Sequence, residues 1–409
     1  MKWTEGIDKT SIFLYLAISI FAVANIYSVD EQLGKKQLVF LCISIFVGII
    51  IFLMRTKFFE NFSSIFYVAG VLLLIGLFPF GTEILGQKNW YKFGGFTMQP
   101  VEFAKIGVAL MISHYVSGPD FDLKNRKSLY TCLAIIGIPA IVILAIPDVG
   151  SLLVFSAFFI ALFREGLSGW VFGVGLIIAT VFLVALAVDP LYIVVALAVI
   201  FALIILFNYY KINWNIFSIT NYAVSFLLLC GLAFASPKIL ENMPKHQRER
   251  IEVLYKGEKA FRDTSGYNLL YSKTAIGSGG FFGKGYKEGS VTRGKFVPEQ
   301  ETDYIFCTVG EEWGFLGATV LVLFYTLFIG RIYYLSEQQK SGFNRVFGYC
   351  FASILMVHFC INLGMVMGLF PTVGIPLPFF SYGGSSLLAF SIMTFIFFKL
   401  NYADRNSLV

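Results

Sequence analysis

The sequence predicts an all-α polytopic integral membrane protein, and three observations carry that prediction. Of its 409 residues, 57% are hydrophobic and only 14% charged, against about 25% charged in an ordinary soluble domain. Apolar runs of membrane-spanning length recur from Ser11 nearly to the C-terminus, and the mean hydropathy is +0.76. Lys and Arg are unevenly divided between the polar stretches that separate those runs. Together these exclude a soluble globular protein, a disordered chain and a collagen-like or coiled-coil rod. The formal net charge of +6 reports topology before it reports any partner, and no nucleic-acid partner is expected.

Apolar segments lie near residues 11–28, 37–54, 62–80, 101–117, 128–146, 151–163, 169–188, 191–209, 216–236, 304–331, 346–370 and 379–399. Each is read as helix, because a backbone in lipid must satisfy its own polar groups. That makes about twelve spans, of which 151–163 is short for the ~20 residues a crossing needs. With the N-terminus inside, the inner segments hold fourteen cations: Lys2, Lys9, Arg55, Lys57, Lys124, Arg126, Lys127, Arg164, Lys211, Arg331, Lys340, Arg345, Lys399 and Arg405. The short outer loops hold four, Lys35, Lys36, Lys88 and Lys92. This bias places both termini in the cytoplasm and requires an even number of spans. The first apolar run lacks a small-residue cleavage pattern, so it is expected to be a retained span rather than a removed signal peptide. All six cysteines sit in or beside apolar stretches, which argues against a disulfide scaffold or a zinc site.

The chain is read as a single membrane domain, 1–409, with one long polar loop over 237–303 on the outer side. That loop carries twelve Lys or Arg and nine Asp or Glu. Connections of this length are usually functional or disordered, and the interleaved aromatics and charges argue against disorder. It ends in Phe296-Val-Pro-Glu-Gln-Glu301-Thr-Asp303-Tyr-Ile-Phe306, three carboxylates within five residues. The plain reading is a helix start, capped by Thr302 or Asp303 with acid at the positive end of the dipole. The functional reading makes Asp303 a general base at the membrane surface, with Glu301 close by. From this segment alone the plain reading is favoured.

Five other patterns bear on chemistry. Gly310-Glu311-Glu312-Trp-Gly314 sets two carboxylates at the head of a span, read first as structure and helix packing. In Trp90 to Lys105, Pro100 suits a first helical turn, Glu102 follows in it, and Lys105 shares its face; a cation inside an apolar run usually serves a partner or a pathway. Lys245-His-Gln-Arg248-Glu-Arg250 offers cations to a phosphate or to anionic headgroups. The glycine-rich run Gly277 to Gly285 fails both nucleotide-loop registers, leaving tight turns or close backbone approach to a ligand. Finally, Asn362 to Ser386 breaks the backbone with Pro and Gly between two spans, which is tolerated only in protein or beside a wet cavity.

In order and spacing, Trp90 with Gln99-Pro-Val-Glu102-Phe-Ala-Lys105, Pro147-Asp-Val-Gly150, Ala275 to Gly285, Pro298-Glu with Thr302-Asp-Tyr-Ile-Phe306, Gly310-Glu-Glu312 and Gly374 to Ser386 resemble the SEDS family (shape, elongation, division and sporulation). The resemblance covers nearly the whole chain, and the glycine-rich run is closer to the rod-shape members than to the division members. It implies a peptidoglycan glycosyltransferase that polymerises lipid II outside the cytoplasmic membrane during cell-wall elongation. It also implies a class B penicillin-binding protein as crosslinking partner, alongside other membrane proteins of the elongation complex. Asp303 is carried over as the essential carboxylate, with Trp90, Glu102 and Lys105 in support. Three features depart from the family: Glu301 stands where His is frequent, Ile146 where Gln is usual, and twelve spans replace ten. The surplus is placed in an inserted helix pair at 191–236.

That chemistry suits the residues. Attack of a GlcNAc 4-hydroxyl on an α-linked MurNAc pyrophosphate needs a base for the alcohol and positive charge for the leaving group. A single displacement inverts the anomeric carbon and gives a β-1,4 link. Asp303 is assigned as base and Lys105, Arg248 and Arg250 as phosphate partners; whether a divalent cation such as Mg2+ assists is left open by the sequence. The competing readings are a flippase for lipid-linked precursors, a division-specific polymerase of the same family, and a noncatalytic scaffold.

Overall fold

The structure, a computed structural model, describes residues 6–84, 87–94, 96–208, 210 and 215–406. Lys2 and Lys211, counted above among the inner cations, lie outside the described residues. Two compact units are present, one formed by Met1–Leu167 with Arg262–Val409 and the other by Ser168–Phe261.

In the first unit α1 (Lys9–Val29) is capped by Asp8, and Asp30 both ends it and caps α2 (Glu31–Leu53). Then come α3 (Thr56–Asn61), α4 (Ser63–Ile75) and α5 (Leu77–Phe80). Three short strands follow, β1 (Thr82–Ile84), β2 (Gln87–Phe93) and β3 (Phe96–Met98), an antiparallel sheet in the order β1-β2-β3. This sheet was not expected in an all-α chain. Pro100 opens α6 (Pro100–Val116), as its fixed φ and missing N–H favour. Next are α7 (Arg126–Ala145), α8 (Val149–Phe155) and α9 (Ala157–Arg164).

The second unit holds α10 (Trp170–Ala187), α11 (Pro190–Asn208), α12 (Ile216–Asn242) and α13 (Lys245–Lys256). The chain returns to the first unit through α14 (Tyr267–Ser278), α15 (Ser290–Arg293), α16 (Ile305–Glu312), α17 (Gly314–Glu337), α18 (Gly342–Met367) and α19 (Gly384–Asn406). Every expected apolar segment is helical. Among the described residues, ten helices are long and apolar enough to cross a membrane by length and composition, and the segments at α6 and at α8 with α9 are shorter. The protein is a multi-pass membrane protein. The most enclosed span is α18, and the non-helical stretch Leu369–Gly383 follows it.

Two expectations are corrected. The stretch 237–303 is not one open loop: α12 runs through Pro237 to Asn242, and α13, α14 and α15 follow. Only 237–261 of it belongs to the second unit. The expected 304–331 span is broken at Trp313-Gly314, where Gly314 has φ +64. The glycine-rich run explains the break. Phe315 N donates to Gly280 O at 2.9 Å and Leu316 N to Phe281 O at 3.0 Å, while Lys284 N and Gly285 N donate to Glu311 O and Glu312 O. The first N–H groups of α17 are thus satisfied from outside the helix. A Cβ on Gly279 would stand 2.0 Å from Gly310 O, and one on Gly283 2.1 Å from Glu312 O. The close backbone approach anticipated for this run is therefore to the chain's own helix break.

Charged residues assigned to one side gather together. Arg331 pairs with Asp8 (2.6 Å), Arg164 with Glu337 (2.5 Å) and Arg345 with Glu165 (3.0 Å). At the opposite end Lys287 meets Glu31 (2.8 Å) and Lys295 meets Asp30 (3.3 Å), fastening 284–295 to the turn between α1 and α2.

Gly283→Ala is expected to destabilise by about 2 kcal/mol or more, because φ is +83 there and the contact is with backbone. Gly277→Ala, with nothing within 4 Å of the added carbon, should stay within about 1 kcal/mol of the parent. Thermal unfolding of both variants in detergent measures the difference.

Candidate functional site

The turn that carries Asp303 runs into α16, whose N-cap position is Tyr304, with no capping hydrogen bond from that side chain. The N-cap position expected at Thr302 or Asp303 is thus Tyr304. Thr302 Oγ1 instead donates to Glu299 Oε2 at 2.9 Å. Glu301 is half-buried, and burial pushes its carboxyl up, with the negative charge of Glu299 adding to the shift.

Asp303 is half-buried and sits against the broken stretch after α18. Asn362 Nδ2 donates to Asp303 O at 2.8 Å and to Ile375 O at 2.7 Å. Gly374, with φ +74, faces the carboxylate: a Cβ there would lie 3.2 Å from Asp303 Oδ2. On either side, Ser381 Oγ donates to Thr302 O (2.6 Å), Tyr382 N to Glu301 O (2.8 Å), and Tyr304 shares a hydrogen bond with Thr372 (2.7 Å). The acidic turn and the Pro-Gly stretch thus form one unit of structure.

Glu102 and Lys105 lie on the first two turns of α6, each with a side chain only 3% exposed, and Lys105 Nζ is 2.9 Å from Glu102 Oε2. Lys105 Nζ also stands 2.8 Å from His358 Nε2, and His358 Nδ1 lies 3.1 Å from Pro376 O. Pro147-Asp148-Val149-Gly150 reaches the same stretch, since a Cβ on Gly150 would meet Val373 O at 2.5 Å. Asp148 caps α8 through Ser151 and accepts from Asn89 Nδ2 at 3.0 Å. Trp90, the next residue on β2, pairs in register with Thr82. The sheet is therefore fastened at Asn89 to Asp148, and Gln99 N meets Ser385 Oγ at 3.4 Å.

The structure thus draws Asp303, Glu102 and Lys105 around the broken stretch and hangs Trp90 on a strand tied to it. Arg248 and Arg250 lie on α13 of the second unit, where Arg248 faces Glu252 at 3.5 Å, one helical turn on. Glu311 proves structural: it accepts from Lys284 Nζ (2.7 Å), Val291 N (2.9 Å) and both Thr292 N and Oγ1 (2.8 and 2.7 Å). Glu312 is held by Ser28. Sequence reasoning overlooked His358. Its signal was available, for it is one of three histidines in the chain and stands inside an otherwise apolar run. Among the described residues no group of three or more His, Cys, Asp or Glu side chains forms a metal-binding cluster.

Residues 7–198 and 191–406 match the model of the FtsW, RodA and SpoVE cell cycle protein family. The chain belongs to this family. Among its relatives, peptidoglycan glycosyltransferase MrdB of Escherichia coli K12 is 28% identical over 386 residues, covering 93% of this chain and 90% of its own. Peptidoglycan glycosyltransferase RodA of Treponema pallidum is 27% identical, covering 98% and 99%. The fold of this FtsW/RodA/SpoVE protein matches a solved chain from a peptidoglycan synthase complex with TM-score 0.73, at 24% identity and over 98% and 99% of the two chains.

Breaking the Glu102–Lys105 pair should be costly. Lys105→Met is expected to lose roughly 3 to 5 kcal/mol, because Glu102 would be left as a buried charge without its cation. The double variant Glu102→Gln, Lys105→Met should recover at least half of that loss, measured by thermal unfolding of the purified protein. A single-variant loss below about 1 kcal/mol would show that the pair is not buried as described.

Proposed function

We propose that this protein is a peptidoglycan glycosyltransferase that polymerises lipid II at the outer face of the cytoplasmic membrane, with Asp303 as general base. The observation that carries the reading is the placement of Asp303. Its backbone carbonyl is held by Asn362, and its carboxylate faces Gly374, where the chain has no side chain. Family membership and relatives named peptidoglycan glycosyltransferase support the activity.

In this mechanism Asp303 takes the proton of the acceptor GlcNAc 4-hydroxyl as its oxygen attacks the anomeric carbon of the donor MurNAc. The bond to the pyrophosphate breaks as the new bond forms, the anomeric carbon inverts, and undecaprenyl pyrophosphate leaves. Trp90, on its strand, offers an aromatic face to the sugar. Lys105 is already committed to Glu102 and His358, so its charge acts from within the scaffold.

The cation bias places both termini in the cytoplasm and the Asp303 end outside, where lipid II is presented. The partner is a class B penicillin-binding protein that crosslinks the emerging strand, together with membrane proteins of the elongation machinery. A solved relative in a complex that coordinates polymerization and crosslinking supports that pairing.

Asp303→Asn keeps the backbone carbonyl that Asn362 grips and nearly the same shape. Lipid II polymerisation by the purified protein, with and without its transpeptidase partner, should fall by about 100-fold or more, while the melting temperature stays near that of the parent. Polymerisation within about threefold of the parent would remove Asp303 from the role of base.

A further inference from the structure

One ionisable side chain beside the site has no part in the chemistry just described. His358, 1% exposed, lies on α18 one turn before Asn362 and on the same helical face. Its Nδ1 is 3.1 Å from Pro376 O, and a carbonyl oxygen only accepts, so Nδ1 carries the proton and donates. Nε2 therefore presents a lone pair, and there Lys105 Nζ stands at 2.8 Å as donor. The ring is edge-on to Phe390 at 5.0 Å, and the Lys105 ammonium lies over the same Phe390 ring at 4.8 Å. Tautomer and ring orientation are both fixed by these contacts.

Three consecutive residues are gripped from α18 or touch Asp303. Gly374 faces the Asp303 carboxylate, Ile375 O shares the Asn362 amide with Asp303 O, and Pro376 O is held by His358. The geometry points to His358 as a positioning residue that ties Gly374–Pro376, and through it the Asp303 carboxylate, to the buried Glu102–Lys105 pair. This rests on Asp303 being the base. The two contacts of the ring do different work: the one to Pro376 sets where the strand beside Asp303 lies, and the one to Lys105 satisfies a buried ammonium.

Two half-mimics separate them. The amide of Asn reaches about where Nδ1 does, so His358→Asn keeps a donor for Pro376 and deprives Lys105 of its acceptor. Gln reaches about where Nε2 does, so His358→Gln keeps the acceptor and removes the donor. The full-length protein in detergent is compared by thermal unfolding, lipid II polymerisation and hydrogen–deuterium exchange of residues 369–383. His358→Gln should melt near the parent yet lose about tenfold or more in kcat at nearly constant KM, as a displaced base does. His358→Asn should melt lower yet keep at least about fivefold more kcat than His358→Gln. Exchange over 369–383 should accelerate in His358→Gln and not in His358→Asn.

A histidine that served only packing would make kcat follow melting temperature, with His358→Asn the worse in both. That result, or equal exchange in the two variants, overturns the assignment. A parent protein inert on lipid II would refute the glycosyltransferase reading instead. The exchange comparison needs no substrate and still decides whether His358 holds the segment.

Discussion

A single side-chain amide holds the site together. The two hydrogens of Asn362 Nδ2 go to Asp303 O and Ile375 O, joining two stretches 72 residues apart in sequence that have no regular structure of their own. The need for such a device follows from the surroundings. Buried backbone outside a helix or sheet must find partners one by one, and each carbonyl left without one costs about 1 to 3 kcal/mol. Around Leu369–Gly383 the partners come from helix side chains. Asn362 and His358 of α18 hold Ile375 and Pro376, Tyr325 of α17 holds Pro378, and Gln37 of α2 grips both Ser381 O and Gly383 N. The stretch with the least intrinsic structure is thereby the one most heavily fastened.

That fastening sets how the acidic groups differ. Glu311 spends its carboxylate on Lys284 and on the backbone of Val291 and Thr292, Glu312 engages Ser28, and Glu102 faces Lys105. Each of these carboxylates is part of the frame. Asp303 is gripped through its main chain by Asn362, and its side chain lies against Gly374. A main-chain anchor of this kind is present whatever the protonation state of the side chain it carries.

Much of the architecture was legible because hydrophobic runs in a membrane protein admit one solution: every apolar segment read from the sequence is helical, although 62–80, 151–163 and 304–331 are each two helices. The sheet at 82–98 was not, since its aromatic residues beside Trp90 read equally as an interfacial belt and its strands are very short. The break at Trp313-Gly314 was hidden for a different reason. The run Gly310-Glu-Glu-Trp-Gly314 is compatible with one continuous helix, and only the glycine-rich run some thirty residues earlier, unseen by any local window, supplies the carbonyls that permit the break. At the site, Lys105 was visible as a charge in an improbable place, whereas Asp303 and Glu102 came forward through the family resemblance, the acidic turn by itself reading as a plain helix start. His358 was equally improbable inside its apolar run, but its meaning lies in two partners on α6 and on the broken stretch, which no spacing rule connects.

The glycine-rich run also reaches the site. Glu311 holds 284–292 from within α16, and Gln300, 1% exposed in the turn before Asp303, donates through Nε2 to Thr292 O at 2.9 Å. Lys287 and Lys295 extend the same segment to Glu31 and Asp30 at the junction of α1 and α2. The acidic turn is consequently held from two directions, by the Pro-Gly stretch through Asn362, Ser381 and Tyr382, and by the 284–295 segment through Gln300. A turn held on one side only would hinge. Held on both, it keeps a half-buried carboxylate in place without a helix or strand beneath it, and a displacement of even 1 Å at a reacting group can cost on the order of 100-fold in rate. The close backbone packing of Gly279 and Gly283 against the helix break therefore belongs to the same problem as Asn362: both fix an irregular chain around the carboxylate of Asp303.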